Sequence, residues 1–354
     1  MYPEILSLYQ SKQYQKAEQY ARKHLVSNSQ DVPVWNILAA CLNAQGRLQE
    51  ALDLKAEIIQ KFPDDPSARN NYGNALKQIG RLDEAEEILR ETIKRWPEFP
   101  QAQLNLGNVL LEQGRVKQAQ QHYEKALKLD PYYVNAHFHL GLALRDQDKL
   151  SQSYHQFKTA FLLDSNNFRY LLTASAVLLH EPALLSTELP WIEKQAQKFS
   201  NAELMRNIGI CLLRTNHPRK AITYLLNSSS PISLGNAYKA LGETDKALQS
   251  YQKALDDDSD NLDAAGHICF LTQFLNVTPQ DRYKAAARYG DILKRRVKPL
   301  PPPRLKPPPP IVVGFVSGDW YSHPVAYFLL GLLENLDRDK VRAIGFQAQP
   351  NTDA

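Results

Sequence analysis

The chain has 354 residues, a formal net charge of +4 and 43% hydrophobic residues, a composition typical of a folded protein. This charge is too small to imply a nucleic-acid or membrane partner, and we expect neither. Cys41, Cys211 and Cys269 lie in helical patterns without CxxC or histidine spacing, so we expect reduced packing cysteines and no metal site. No N-terminal leader pattern is seen, and we therefore expect a cytoplasmic protein.

The N-terminal segment, residues 1–31, predicts a shortened pair of helices. Its small and apolar residues at helical spacing are Leu8, Ala17, Ala21 and Leu25. The same spacing returns in longer units, which begin near Val32, Pro66, Pro100 and Val134.

The unit at residues 100–133 shows the pattern most clearly. It predicts two amphipathic helices, the first ended by Gly114 and the second by Pro131. Small residues stand where the two helices would cross, at Gly107, Ala119 and Ala126. We expect the two backbones to approach closely there, with Tyr123 filling the space beside them.

This pattern recurs with a constant period, the separation between Gly73 and Gly107. The eighth position of successive units holds Ala39, Gly73, Gly107 and Gly141. The twentieth position holds Ala51, Ala85, Ala119 and Ser153, and the thirty-second holds Pro63, Pro97 and Pro131. This period and these residues resemble the tetratricopeptide repeat, which implies an all-α, right-handed superhelix of paired antiparallel helices.

The repeat region is predicted to cover residues 1–297, with irregularities in its second half. Residues 168–201 form a degenerate unit, in which Pro182 and Pro190 are expected to interrupt the helices. The period is broken by a deletion around 227–231, which predicts a shortened junction between two short helices. Residues 262–297 predict a capping pair of helices.

The pattern changes beyond residue 297. Residues 298–310, KPLPPPRLKPPPP, predict a stiff proline-rich linker. Residues 311–354 then predict a β-α-β start of an α/β domain, with β-branched strands around 311–316 and 341–346 and a helix over 325–336.

The string VGFVSGDWYSHPVAYFL at residues 313–329 resembles the start of the catalytic region of the protein O-GlcNAc transferase and SPINDLY family. The resemblance implies a two-lobed GT-B region that uses UDP-GlcNAc or GDP-fucose to glycosylate Ser or Thr of proteins held along the repeats. It also implies that His323 lies at the catalytic cleft, with Asp319 and Pro324 matching nearby. The alternative is that His323 only covers the first turn of a helix.

The family's nucleotide-binding lobe would lie beyond Ala354. We therefore expect a truncated chain that binds no nucleotide sugar and is inactive alone. The alternative function is a stand-alone scaffold or chaperone-cofactor-like adaptor, in which a basic groove clamps the terminal carboxylate of a partner. Asn74 with Lys77 is a weak candidate for such a clamp, and Glu112 stands where another base would help.

Asparagines recur next to the leucine position of the first helices, immediately before it or two places after it. They are Asn71, Asn105 and Asn207 at the first place and Asn74, Asn108 and Asn236 at the second. An amide both donates and accepts, so we predict that these residues grip the backbone of an extended peptide or protein substrate. The alternative is that they bond neighbouring helices or water. Self-association through the repeats is a further possible partnership.

Overall fold

The computed structural model describes residues 2–296, 311–317 and 341–347. The chain divides into two compact units, Met1–Tyr289 and Gly290–Ala354. The described residues contain eighteen α-helices followed by two β-strands.

The helices form hairpins in which a first and a second helix alternate. The first helices are α1 (Tyr2–Gln10), α3 (Val32–Ala44), α5 (Pro66–Gln78), α7 (Pro100–Glu112), α9 (Val134–Arg145), α11 (Phe168–Leu178), α13 (Ala202–Arg214), α15 (Pro231–Ala240) and α17 (Leu262–Leu271). The second helices are α2 (Tyr14–Ser27), α4 (Leu48–Lys61), α6 (Leu82–Arg95), α8 (Val116–Leu129), α10 (Leu150–Leu163), α12 (Pro182–Ala196), α14 (Pro218–Leu225), α16 (Thr244–Asp257) and α18 (Pro279–Arg296). The predicted all-α architecture of paired helices is therefore confirmed for the repeat region.

The sequence signals at the helix ends act as expected. Asp65 caps α5 by accepting a hydrogen bond from the Ser67 backbone N–H at 2.8 Å, and the prolines Pro66 and Pro100 open α5 and α7. Gly114 turns the chain between α7 and α8 with φ +76°. In the α9–α10 turn, which has no glycine, Asp148 adopts the left-handed conformation instead, with φ +59°.

A close crossing holds the two helices of each hairpin together. A Cβ added to Gly107 would lie 2.5 Å from the Tyr123 ring, and Tyr123 itself is fully buried. Gly141 meets Phe157 in the same way. The predicted packing of Tyr123 beside Gly107 is confirmed, and it leaves no room for a larger residue at position 107.

Polar side chains tie neighbouring hairpins at their turns. Glu18 of α2 accepts hydrogen bonds from Gln45 at 2.9 Å and from Arg47 at 2.8 Å. Glu86 of α6 accepts a hydrogen bond from Arg115 at 2.6 Å, one hairpin further along. These ties are partly buried, so they fix how each hairpin sits on the next.

The second half of the repeat region departs from the regular period. We predicted that Pro190 interrupts a helix, but α12 runs from Pro182 to Ala196 with Pro190 inside it, so that prediction is wrong. Pro182 stands in the first turn, where a missing N–H costs nothing. Helices α14 and α15 have only 8 and 10 residues, which accounts for the residues missing from the regular period.

The two strands are β1 (Ile311–Ser317) and β2 (Val341–Gln347). They pair in parallel, with Ile311 opposite Val341 and Ser317 opposite Gln347. The predicted proline-rich linker and the helix at 325–336 lie outside the described residues. Within the part of the chain that the structure describes, no helix is both long and apolar enough to cross a membrane.

The helix crossing can be tested by Gly107→Ala. The added methyl must displace the Tyr123 ring, so the local free energy of unfolding of α7 and α8 should fall by about 1 to 2 kcal/mol after the gain in helix propensity is subtracted. Hydrogen–deuterium exchange of these two helices measures the change. Gly290→Ala is the matched control because its Cβ would meet open space, and it should slightly stabilise α18. Equal effects in the two variants would contradict the close crossing.

Candidate functional site

The first helices lie on the inner side of the stack. The more extensive contacts that skip one helix all join first helices, namely α1 with α3, α5 with α7, α7 with α9, α11 with α13 and α13 with α15. Elements that touch their next-but-one neighbours lie on the inside of a bend. We call the solvent-accessible strip of the first helices on this side the groove.

Asn71 and Asn105 lie in the groove and are half-buried. The Asn71 Nδ2 donates a hydrogen bond to Asn36 Oδ1 at 3.1 Å, and the Asn105 Nδ2 donates to Asn70 Oδ1 at 2.8 Å. Each bond joins one first helix to the preceding one. The alternative role foreseen for these amides, bonding between neighbouring helices, is thus present at both positions.

Asn108 and Asn236 are half-buried and accept hydrogen bonds from tyrosines within their own hairpins. The Tyr123 hydroxyl donates to Asn108 Oδ1 at 2.9 Å, and the Tyr251 hydroxyl donates to Asn236 Oδ1 at 2.7 Å. Because these bonds use only the amide oxygens, the side-chain N–H groups of both asparagines remain available at the groove.

Asn74 differs from the other candidates. It is half-buried, and its side chain makes no hydrogen bond within residues 2–296. The residue that corresponds to Tyr123 in its hairpin is Leu89, which packs under Gly73 and has no hydroxyl. Of the predicted amides, Asn74 therefore keeps its full capacity for a ligand.

The prediction that Asn207 lies in the groove is wrong. It is only 1% exposed, and its Nδ2 donates to the Ser175 hydroxyl at 3.0 Å inside the α11–α13 contact. Its Oδ1 is buried without a hydrogen-bond partner among the described residues. This hydrogen bond joins α13 to the preceding first helix, α11.

Two histidines at the groove were missed at the sequence level. The His139 ring lies 5.8 Å from the Tyr123 ring, and the His267 ring stacks on Tyr251 at 4.7 Å. The sequence could have indicated these histidines, because His139 follows Tyr123 at the same separation at which His267 follows Tyr251. Burial, with smaller contributions from the charges of Lys77 and Arg169, lowers the pKa of His139 to about 4.

Lys77, the basic residue of the predicted carboxylate clamp, is already paired with an acidic residue. The Lys77 ammonium lies 2.8 Å from a Glu112 carboxylate oxygen, on the next first helix. Since Glu112 neutralises Lys77, the pair Asn74 and Lys77 does not offer the free positive charge that a carboxylate clamp requires.

The reactivity of two cysteine thiols is suppressed by burial. The described residues also offer no metal cluster. Burial raises the pKa of the Cys41 thiol to about 11 and that of Cys211 to about 12, so neither is a thiolate at neutral pH. All three cysteines are free. Within the described ranges, no group of His, Cys, Asp and Glu could hold a metal ion.

The predicted catalytic residue His323, with Asp319 and Pro324, lies outside the described residues. The same is true of the segment that would contact UDP-GlcNAc or GDP-fucose in a complete relative. The repeat region alone therefore provides the candidate site.

Comparison with known proteins identifies the repeats. Two family models, both described as tetratricopeptide repeat, match the chain, one over residues 2–66, 70–134 and 104–153 and the other over residues 232–265. These parts of the chain are therefore tetratricopeptide repeats. No curated protein sequence matches it significantly.

Several solved structures are similar in fold. The APC/C hetero-tetramer Cut9-Hcn1 is 16% identical, with a TM-score of 0.40, over 80% of this chain and 59% of that one. YrrB, a TPR protein with an unusual peptide-binding site, is 19% identical, with a TM-score of 0.42, over 56% of this chain and 97% of that one. MamA 41-end from Desulfovibrio magneticus RS-1 is 19% identical, with a TM-score of 0.40, over 48% and 96%. This chain thus spans under two thirds of the Cut9-Hcn1 chain.

The buried histidines predict a pH dependence of stability. The pKa of His122 is lowered to about 4 by burial and by the nearby charges of Lys125 and Arg90, and His139 behaves similarly. In the unfolded chain a histidine titrates near pH 6.5, so the unfolded state binds more protons between these values. Stability is then complete above about pH 6.5 and is lost as the pH falls toward 4, by at most about 1.4 kcal/mol per pH unit for each histidine.

Chemical denaturation at pH 7 and pH 5 measures this loss. The double variant His122→Gln, His139→Gln should show a smaller loss than the unmodified chain. His217→Gln, which changes an exposed histidine, should keep the full loss. A double variant with an unchanged pH dependence would show that other groups cause it.

Proposed function

We propose that this chain is a protein-binding scaffold whose groove holds an extended segment of a partner protein. Tetratricopeptide repeats suggest such a scaffold, and the position of the amides supports this use of it. The observation that carries the proposal is Asn74, a half-buried amide in the groove with no hydrogen bond to the rest of the described chain. An amide in this setting can donate to and accept from the backbone of a passing peptide.

The neighbouring amides can act with it. Asn71 and Asn105 each use one N–H in bonds to the preceding first helix, which leaves a second N–H and the oxygen. These bonds also hold the amides in place, so less side-chain entropy is lost when a ligand binds. Recognition through backbone groups would favour extended segments with little dependence on their sequence.

The proposal can be tested by changing the groove amides together. In the full chain, Asn71, Asn74 and Asn105 are replaced by Ala, and binding of labelled 12-residue extended peptides is measured by fluorescence polarisation. Loss of several hydrogen bonds of about 1 kcal/mol each should weaken binding about tenfold or more. Thermal melting followed by circular dichroism shows whether the helices remain intact.

A matched control comes from the opposite face of the stack. Glu87, Lys94 and Gln121 are exposed on the second helices α6 and α8, and their joint replacement by Ala removes a similar number of polar groups. This control should bind within twofold of the unmodified chain. If the groove variant also binds within twofold, the groove is not the recognition surface.

A second candidate is that the repeats select substrates for a protein O-glycosyltransferase. Two observations favour it. The string at residues 313–329 resembles the start of that family's catalytic region, and β1 pairs in parallel with β2, as expected when a crossover joins two strands of an α/β domain. In this role His323 would border the acceptor site, and UDP-GlcNAc or GDP-fucose would be bound by a further lobe.

The glycosyltransferase candidate is tested on the polypeptide isolated from its source. Intact mass measures its length, and transfer of labelled GlcNAc or fucose to an acceptor protein measures activity. Transfer that His323→Ala abolishes, without a change in the melting of the repeats, would support this candidate. A native polypeptide that transfers neither sugar would leave the scaffold as its function.

A further inference from the structure

The α3–α4 hairpin differs from the hairpins that have a crossing glycine in the residue that its second helix packs under the first. The residue of the second helix that packs under the first is aromatic or leucine in the hairpins with a crossing glycine, as at Leu89, Tyr123, Phe157, Leu225 and Tyr251. In the α3–α4 hairpin the corresponding residue is Lys55, which is 8% exposed. A lysine therefore stands in the core position of this hairpin.

The exception involves both helices. The first helices that face a bulky residue carry glycine at the crossing, whereas α3 carries Ala39, which is fully buried. A Cβ at Gly107 would meet the Tyr123 ring at 2.5 Å, so Ala39 could not face a ring in the same geometry. The unbranched stem of Lys55 fits beside Ala39, and its methylene groups replace the missing apolar packing.

From the equivalent position of Tyr123, we infer that the tip of Lys55 is directed toward the groove. At the equivalent position, the Tyr123 hydroxyl reaches Asn108 on the groove side of α7. The residue of α3 that corresponds to Asn108 is Ala40, which has no side-chain acceptor. The Lys55 ammonium is not among the fully buried atoms that lack a hydrogen bond, so the small exposed part of this residue includes its charged end.

Lys55 has no counter-charge within residues 2–296. It forms no ion pair and no hydrogen bond there, and burial alone lowers the pKa of its ammonium. Two half-buried lysines are paired, Lys77 with Glu112 and Lys158 with Glu188. Lys239 is half-buried without an ion pair among the described residues, and Lys55, at 8% exposure, is the most deeply buried lysine there. A desolvated, unpaired cation costs free energy that an incoming anion would recover.

The equivalence of the repeats places amides beside this cation. Asn71 follows Lys55 at the same separation along the sequence at which His139 follows Tyr123. It therefore occupies the place from which His139 faces the Tyr123 ring. Asn71 donates to Asn36, and both are half-buried in the groove. The Asn36 amide keeps its N–H groups, which are the donors that a carboxylate accepts from.

We propose that Lys55, together with Asn36 and Asn71, forms a subsite in the groove for one carboxylate side chain, Asp or Glu, of the bound protein segment. This inference rests on the proposed use of the groove for extended segments. The neighbouring lysine, Lys77, is already neutralised by Glu112, and the unpaired Lys239 lies much further along the array, on α15. Lys55 therefore offers one unpaired cation, which suits one carboxylate, to a segment that passes α3 and α5.

The test measures the preference for Glu over Gln. Each position of the tightest-binding 12-residue peptide from the groove experiment is replaced in turn by Glu and by Gln, and binding to the full chain is measured. At one position, the Glu peptide should bind at least about tenfold more tightly than its Gln twin. Lys55→Met should remove this preference, whereas Lys55→Arg should keep most of it.

Lys77→Met is the matched control, since it removes a charge from the groove that already has a partner, and the Glu preference should persist in it. Lys55→Met should fold at least as stably as the unmodified chain, because an apolar unbranched residue replaces a desolvated cation. Melting followed by circular dichroism checks this. A less stable variant would point to a purely structural lysine.

The outcomes separate the two levels of the proposal. Equal binding of Glu and Gln peptides, or a preference that survives in Lys55→Met, overturns the subsite but leaves the groove as the binding surface. A Lys55-dependent preference seen only between acid and amide forms of the peptide C-terminus assigns the subsite to a terminal carboxylate and overturns the side-chain assignment. If no extended peptide binds, the proposed function fails, and this inference fails with it.

Discussion

The close approach of two helix backbones at one small residue is the constraint on which the repeat region depends. Where Gly107 lets α7 lie against the Tyr123 ring, the hairpin buries that ring completely, and the ring's hydroxyl still reaches the groove. The crossing therefore determines both the core and one polar contact of the inner surface. In the α3–α4 hairpin the crossing residue is Ala39 instead of glycine, and the opposing residue is the unbranched Lys55 instead of an aromatic ring. Core packing and groove chemistry thus change together.

The period of the sequence was enough to predict the hairpins, their boundaries and the crossing of Gly107 with Tyr123, because these features depend on residues within one unit. The ties between units could not be predicted in the same way. Glu18 with Arg47 is a contact between side chains of different units, and nothing in the spacing of apolar residues indicates which polar side chains will meet. Asn207 shows the same limit, since it is buried against Ser175 of the preceding unit, a contact that the spacing of apolar residues does not indicate. Pro190 was misjudged because a proline inside a helix can be tolerated by its surroundings.

The amides of the groove have a structural role as well as a proposed binding role. Asn71 and Asn105 join consecutive first helices, and Asn108 holds a core tyrosine. A surface built in this way is rigid before any ligand arrives, which reduces the entropy lost on binding. The inner surface also changes along the chain, from amides near α3 and α5 to histidines that lie against tyrosines near α9 and α17. Different partner segments, or different parts of one segment, would meet different chemistry.

The shortened helices α14 and α15 affect how the repeat region unfolds. The buried cluster that spans the central hairpins ends at Ala237, and the next cluster has only Ala247, Tyr251 and Leu271 as its buried members. In a linear array, cooperativity passes only through contacts between neighbours, and it is weakest where the shared apolar surface is smallest. Helix α15 contributes Ala237 to one cluster and packs Ile232 and Tyr238 against the other, so the hairpins from α15 onward can open as a separate folding unit while the preceding hairpins stay intact.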